Sequence, residues 1–228
     1  MKISFILPVL NESELIVEQL KLLQLYRQRG HEVLVIDGGS MDNTVKLATA
    51  LADAVHVSTP GRAVQMNCGA EKASGDVLLF LHIDTTLPNK ADQLILKALE
   101  PDSCAWGWFS ICLSNPRLPY RIISMMMNLR SRISSVCTGD QALFVRRELF
   151  DAIGGFPVLP IMEDVAISKE LRSVVPPSRI SNSAVTSSRR WEKKGLVKTV
   201  LLMWQLRLLY FLGVSTTKLV AMYYPGRS

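Results

Sequence analysis

The sequence predicts an α/β fold with a mostly parallel central sheet flanked by helices. Short, continuous apolar runs such as 3–9 and 32–36 alternate with segments whose apolar residues recur at helical spacing. Several of these runs stop at an acidic or amide side chain, as one does at Asp84. With 48% hydrophobic and 20% charged residues in a chain of 228, the composition excludes a disordered or fibrous protein and suits a globular domain.

The first hundred residues alternate strand and helix. We expect strands at Ile3–Val9, 32–36, Ala54–Val57 and a run ending at Asp84. We expect helices at 11–30, 42–51 and 61–73, the first opened by a capping-box arrangement of Asn11 and Glu14. This β-α-β-α-β-α-β order predicts a parallel sheet with helices on both faces.

The second half of the chain is mixed. We expect strands at 105–113 and 141–145, and helices at 120–134 and 162–171, the last closed by Pro176 and Pro177. This half breaks the regular alternation of the first hundred residues.

The C-terminal segment 192–228 differs in charge and composition from the rest of the chain. Ten Lys or Arg and one acidic residue follow Glu170, which leaves the preceding part with a net charge of −3. The segment is rich in Leu, Met, Trp and Tyr, but Lys198, Arg207 and Lys218 interrupt every run that approaches the length of a membrane span. It predicts amphipathic helices that lie on an anionic membrane face, against another subunit or in the core of the same domain.

The apolar run at the N-terminus stops at Asn11 and does not resemble a secretory signal. The four cysteines show neither a C-x-x-C pair nor histidines at zinc spacing, which is typical of a reducing compartment. We therefore expect a cytoplasmic protein, at the inner face of the membrane if the C-terminal segment binds lipid.

Acidic or amide side chains follow three predicted strands: Asn11 and Glu12 the first, Asp37 the second, and Asp84 the fourth. Ligands of open α/β sheets bind outside the carboxyl ends of the strands, where these groups would meet. One carboxylate could accept hydrogen bonds from a base or ribose, and another could hold a divalent cation, Mn²⁺ or Mg²⁺, against a diphosphate. The turn after strand one has neither a Rossmann glycine fingerprint nor a P-loop, which disfavours a dinucleotide site.

Four motifs in order resemble the family 2 glycosyltransferases of GT-A fold. They are Ile6-Leu7-Pro8-Val9-Leu10-Asn11-Glu12, Val35-Ile36-Asp37-Gly38-Gly39-Ser40, the strand ending at Asp84, and Glu163-Asp164. The chain is most similar to a short bacterial subgroup that shares Gly61-Arg62-Ala63-x-Gln65-Met66-Asn67 and a Leu-His-x-Asp-Thr motif. The resemblance covers residues 1–191 and implies a catalytic domain with a nucleotide-binding half, 1–100, and an acceptor half, 101–191.

The resemblance implies a donor site for a nucleoside-diphosphate sugar, with Asp37 binding the base. Its residues would be Pro8, Asn11, Glu12, Asp37, Arg62, Asp84, Arg190 and Trp191. Asp84 matches the last acid of the family's D-x-D metal motif, whereas His82 replaces the first. Both are candidate metal ligands, and His82 is alternatively a buried residue behind the ligand.

The resemblance also implies that Asp164, beside Glu163, is the base that takes a proton from the acceptor hydroxyl. Read without the other three motifs, Asp164 is better interpreted as a helix cap, with Glu163 solvated. Gly139, Asp140 and Gln141 lie where family members contact the acceptor.

The sequence therefore predicts an inverting, metal-assisted glycosyltransferase. It would move a sugar, most simply from a UDP-sugar, to a hydroxyl of an acceptor that could be lipid-linked. Two alternatives remain: a non-catalytic protein that binds nucleotide sugars, and a nucleotidyltransferase. The second is disfavoured because Pro8 to Glu12 does not resemble a glycine- and lysine-bearing phosphate loop.

Overall fold

A computed structural model describes residues 1–100 and 103–223, and within this range it describes only the backbone of Arg190, Lys193 and Lys194. The described part contains one mixed sheet whose strands lie in the spatial order β3-β2-β1-β4-β7-β6-β8-β5. The strands are β1 (Ile3–Val9), β2 (Glu32–Asp37), β3 (Ala54–Val57), β4 (Val77–Phe80), β5 (Thr85–Thr86), β6 (Trp106–Leu113), β7 (Phe144–Arg146) and β8 (Ser178–Thr186). Only β7 and β5 run antiparallel to their neighbours, so the expectation of a mostly parallel sheet is confirmed.

Helices cover both faces of this sheet. They are α1 (Ile16–Gln28), α2 (Thr44–Thr49), α3 (Arg62–Lys72), α4 (Ala91–Ala98), α5 (Leu118–Ser134), α6 (Arg147–Ala152), α7 (Glu163–Val174), α8 (Arg189–Lys194), α9 (Leu196–Phe211) and α10 (Thr216–Tyr223). Side chains alternate along β1, so Phe5 and Leu7 pack with α1 and α4, whereas Ile6 packs with α3 on the other face. Both layers are predominantly apolar, as expected of parallel strands buried on two sides.

The prediction that the fourth strand continues to Asp84 is wrong by four residues. Strand β4 ends at Phe80, and the chain then turns, with the Thr85 N–H donating to the carbonyl of His82 at 3.1 Å. Leu81 and Ile83 are nevertheless buried, which explains why the apolar run extends beyond the strand. The turn still delivers Asp84 to the carboxyl edge of the sheet.

Two local predictions are also wrong. Helix α1 begins at Ile16 without a side-chain cap, because Asn11 lies in the left-handed region (φ 54°) and accepts a hydrogen bond from the Met41 N–H instead. The expected strand 141–145 is shorter, since residues Gly139–Gln141 form a single 3₁₀ turn before β7.

Strand β8 was not predicted, and it explains how the C-terminal part of the chain returns to the sheet edge. It runs parallel to β6, and just past its end the Ser187 N–H donates to the carbonyl of Asp84 at 3.1 Å. Helix α8 follows and crosses the predicted boundary at residue 191. Beyond it, Leu206 of α9 and Leu219 of α10 are buried with Ile161, so part of this segment packs on the domain itself.

Candidate active site

The carboxyl ends of β1 and β2 are held together by one buried side chain. Gln65 of α3 donates from Nε2 to the carbonyls of Val9 and Ile36 at 2.9 and 2.8 Å. This pair of hydrogen bonds fixes the edge from which the loops after both strands leave. Asn67, two residues further along α3, bonds the backbone N–H and carbonyl of Phe156 and so anchors the loop before α7.

The loop after β2 folds around Asp37, which is 1% exposed. Its Oδ2 accepts hydrogen bonds from the Gly39 and Ser40 N–H groups at 2.9 and 2.8 Å, and its Oδ1 accepts one from the Ser40 hydroxyl. The Ser40 hydroxyl also accepts the Asn11 N–H. Asp37 therefore organises the joint between the first two loops, in addition to lying where the base was predicted.

Three carboxylates from separate segments meet beyond this edge. Burial and the negative charge of Asp84 raise the pKa of Glu12, while Arg189 and Arg62 oppose that rise. Burial and the charge of Asp140 raise the pKa of Asp84, again opposed by His82 and Arg62. Asp84 thus lies in a partly buried space between two other carboxylates that its charge repels, Glu12 and Asp140, and a cation there would be stabilising.

His82 lies behind this group rather than open to it. Its Nδ1 is 3.1 Å from Oδ1 of Asp140, and its side chain is 11% exposed. The edge of the ring carrying Nε2 faces Gly139 so closely that a Cβ at that position would overlap it. His82 therefore contacts Asp140 and orients its carboxylate.

Arg62, at the first position of α3, links the donor and acceptor sides. Its Nη1 lies 3.9 Å from Oε1 of Glu163, and its charge also lowers the pKa of Glu12 and Asp84. Glu163 is 6% exposed, and burial followed by the charge of Asp164 raises its pKa to about 7. The site thus contains a carboxyl group that titrates near neutral pH.

Asp164 lies in the first turn of α7. Its Oδ1 accepts the Val165 N–H at 2.8 Å, and its Oδ2 accepts the Gly139 N–H at 3.1 Å. The cap position of α7 belongs to Met162, which has a φ of 67°. Asp164 is therefore not the helix cap, and its second oxygen ties the catalytic candidate to the loop containing Gly139.

The structure corrects the expected role of Gln141. The side chain was predicted to contact the acceptor, but it is completely buried. Its Oε1 accepts hydrogen bonds from Ser131 and from the N–H and hydroxyl of Thr138. Gln141 thus holds the turn that presents Gly139 and Asp140.

The residues after β8 reach the same edge. The charge of Arg189 acts on Glu12, and Trp191 is half-buried two residues later. The side chain of Arg190, predicted to bind the nucleotide, lies outside the described residues. An open groove of about 720 Å³ runs beside α8 and is lined by Ser114, Asn115, Pro116, Arg117, Tyr120, Ser188, Arg189 and Glu192.

Within residues 1–100 and 103–223, no group of three or more His, Cys, Asp or Glu side chains forms a ready-made metal cage. Over the same residues, none of the helices has the length and apolar composition of a membrane span.

Pro8, at the end of β1, is half-buried beside the edge that Gln65 holds.

The family described as "Glycosyl transferase family 2" matches residues 4–159. The chain belongs to this family. Poly-beta-1,6-N-acetyl-D-glucosamine synthase of Staphylococcus aureus is 29% identical over 192 residues, which cover 74% of this chain and 45% of that protein. The chain spans less than half the length of the curated relatives that it matches.

Solved structures show the fold. The structure of S. aureus TarS 1-349 in complex with UDP-GlcNAc is 20% identical and superimposes with a TM-score of 0.67, covering 82% of this chain and 58% of that one. Glucosyl-3-phosphoglycerate synthase from Mycobacterium tuberculosis, in complex with Mn²⁺, UDP-glucose and phosphoglyceric acid, is 18% identical, with a TM-score of 0.62 and coverage of 81% and 71%. The expected GT-A fold of this family 2 chain is confirmed.

Proposed function

We propose that the protein transfers a sugar from a nucleoside-diphosphate sugar to an acceptor hydroxyl, with inversion at the anomeric carbon. The observation that carries this proposal is the position of Arg62. Its charge reaches Glu12, Asp84 and Glu163, carboxylates from three separate segments that meet at the carboxyl edge of a GT-A sheet.

The donor would lie across the ends of β1 and β2. Pro8, Asn11 and Glu12 border this space, Asp37 receives the base, and Arg62 and Arg189 face the diphosphate. Trp191 completes the donor side from α8, and Arg190, whose side chain lies outside the described residues, is expected there from the sequence alone. A UDP-sugar is the first donor to test, since the structural neighbours include complexes with UDP-GlcNAc and UDP-glucose.

The residues present fit a divalent cation, Mn²⁺ or Mg²⁺. Such ions are commonly held by one or two carboxylates together with substrate phosphates, which agrees with a site that lacks a protein-only cage among the described residues. Asp84 would be the principal ligand, because burial and the charge of Asp140 destabilise its ionised carboxylate and a cation would stabilise it. When bound, the cation would offset the charge of the departing diphosphate. His82, predicted as a second ligand, would orient Asp140 instead.

In the transfer step, the acceptor oxygen forms a bond to the anomeric carbon while the bond from that carbon to the diphosphate breaks. Asp164 takes the hydroxyl proton, and the diphosphate leaves with the bonding electrons toward Arg62 and Arg189. A carboxylate base of this kind contributes about 10²–10⁴-fold to the rate. Glu163 sets the charge beside the base, and Gly139 and Asp140 form the wall of the acceptor space.

The test is release of nucleoside diphosphate from UDP-GlcNAc, UDP-glucose and GDP-mannose with Mn²⁺, using glycerol, glucose, glycerol 3-phosphate and phosphatidylglycerol as acceptors. We expect turnover with at least one pair, and a loss of about 10²–10⁴-fold in Asp164→Asn. Asp151→Asn, an exposed carboxylate on α6, is the matched control. Binding of donor without turnover would contradict catalysis and favour a binding protein, and pyrophosphate release from UTP and a sugar phosphate would favour a nucleotidyltransferase.

We also propose that α9 contacts an anionic membrane. Five apolar side chains spaced four and three residues apart are each at least 61% exposed: Val197, Leu201, Trp204, Leu208 and Phe211. Helix α9 has no acidic residue, and Lys198 in its first turn is exposed. An apolar stripe on a helix with a basic rather than an acidic charge is typical of a helix lying on acidic lipids.

Leu201→Glu/Trp204→Glu should abolish cosedimentation with phosphatidylglycerol vesicles. Met41→Glu, which changes a 94% exposed side chain elsewhere, should leave it intact. Unchanged vesicle binding together with an altered oligomeric state would show instead that the stripe joins two copies of the chain.

A further inference from the structure

Two arginines from different helices lie close together on the acceptor side. Arg130 of α5 donates from Nη2 to Ser131 Oγ at 2.9 Å and to Thr138 Oγ1 at 3.5 Å, while its buried Nε has no hydrogen-bond partner. Arg207 of α9 is near enough for its charge to act on Arg130. Among the described residues, no carboxylate lies within ion-pair distance of either guanidinium.

This pair is electrostatically unfavourable as it stands. Burial, and after it the charge of Arg207, lowers the pKa of Arg130 to about 10, and burial also lowers the pKa of Arg207. Both side chains remain charged at neutral pH. Burying two cations without a direct counter-ion costs free energy, and a bound anion would offset that cost.

The location of the pair is specific. Both arginines interact electrostatically with Asp164 and Asp140, so they border the base and the acceptor wall. Asp164 does not bind them directly, because its two oxygens accept the Val165 and Gly139 N–H groups. Thr138, which Arg130 contacts, directly precedes Gly139, whose N–H binds Asp164, and this places Arg130 beside the loop that holds the base.

We propose that Arg130 and Arg207 bind an anionic group of the acceptor, a phosphate or a carboxylate, and thereby place a neighbouring hydroxyl at Asp164. The planar guanidinium fork matches both groups with paired hydrogen bonds, which ammonium groups cannot provide. The proposal rests on the proposed transfer reaction and narrows its acceptor to an anionic molecule. A bound anion would also offer a hydrogen-bond acceptor to the Nε of Arg130.

The test is calorimetric titration of inorganic phosphate into the full chain, with UDP and Mg²⁺ present to fill the donor site. The wild type should bind phosphate, and Arg130→Met and Arg207→Met should each raise its Kd by about tenfold or more. Arg132→Met removes an exposed arginine from the same helix and should change the Kd by less than twofold. An unchanged Kd in both Arg130→Met and Arg207→Met, or no phosphate binding by the wild type, would overturn the proposal. The two arginines would then only offset the negative charges of Asp164 and Asp140.

The Kd for UDP, measured on the same samples, should be equal in all variants, which shows that each is folded. Arg207→Lys keeps the charge but loses the fork, and it should bind phosphate with an affinity between those of the wild type and Arg207→Met. If UDP does not bind, the donor assignment fails, and the phosphate titration without UDP still tests the arginine pair separately.

Two further ligands distinguish the sources of the anion. Equal affinity for glycerol 3-phosphate and dihexanoyl phosphatidate would indicate a soluble phosphorylated acceptor. A clear preference for the phosphatidate would indicate a lipid headgroup, reached from the apolar stripe of α9.

Discussion

The buried carboxyl of Glu163 makes the stability of the protein depend on pH in a predictable direction. The folded protein binds the Glu163 proton more tightly than the unfolded chain does, because burial and Asp164 raise its pKa from 4.5 to about 7. Stability should therefore fall as the pH rises from about 4.5 to about 7, and the full cost should be present above pH 7. Glu163→Gln removes the ionisable group and should therefore abolish this loss of stability.

The size of the effect follows from the shift in pKa. A rise from 4.5 to about 7 corresponds to about 3 kcal/mol in the free energy of unfolding when the group is ionised in both states. In a chain of this length, 1 kcal/mol changes the Tm by about 2–4 °C. Glu163→Gln should therefore raise the Tm by about 6–12 °C at pH 8 and leave it nearly unchanged at pH 4.5.

The assay is differential scanning calorimetry of the wild type and the variant at half-unit steps from pH 4.5 to pH 8. Glu170→Gln removes an exposed carboxylate from the same helix and serves as the control. A difference in Tm that does not grow with pH, or a variant less stable than the wild type at pH 8, would refute the assignment of Glu163 as a buried group that resists ionisation.

Three further substitutions test interactions in the sheet, in the helix layer and beside the site. Glu32 accepts hydrogen bonds from Ser4, Ser74 and Lys2, which outweigh the effect of its burial and lower its pKa to about 2. Glu32→Gln should therefore destabilise the protein by about 1–2 kcal/mol at pH 7, after allowing for solvent screening. In chemical denaturation, this difference should vanish as the pH falls from 4.5 to 2. A Cβ at Gly69 would overlap Ile6, so Gly69→Ala should cost about 1–3 kcal/mol in the same assay, and a neutral effect would contradict the close contact of α3 with β1. Gly139→Ala would displace the ring of His82 and should lower turnover while UDP binding persists; unchanged turnover would show that the acceptor wall tolerates the shift.

The elements that the sequence predicted well include a continuously buried strand and a helix with one buried face. Strand β1 was predicted with its observed bounds, and α3 within one residue, because Ala63, Met66 and Ala70 repeat at helical spacing on one face. The end of β4 was misplaced because Leu81 and Ile83 are buried in a turn, and a buried turn has the same apolar composition as a buried strand.

Other features depend on tertiary contacts that no local pattern contains. Strand β8 has exposed residues at five of its nine positions and lacks a continuous apolar run, so its pairing with β6 decides its conformation. Asn11 and Glu14 match a capping box, but the hydrogen bond from Met41 draws Asn11 away from the helix. Arg130 and Arg207 are distant in sequence, so no local pattern shows that their charges interact.

The central claim is a donor site for a nucleoside diphosphate at the carboxyl edge of the sheet. Its most direct test is the thermal stabilisation of the wild type and Asp84→Asn by UDP, GDP, CMP and dTDP, each with and without Mn²⁺. A nucleotide at 100 times its Kd should stabilise the wild type by about 2.7 kcal/mol. We predict that UDP stabilises it, that Mn²⁺ increases the effect, and that the increase is lost in Asp84→Asn. No stabilisation of the wild type by any of these nucleotides would contradict the account.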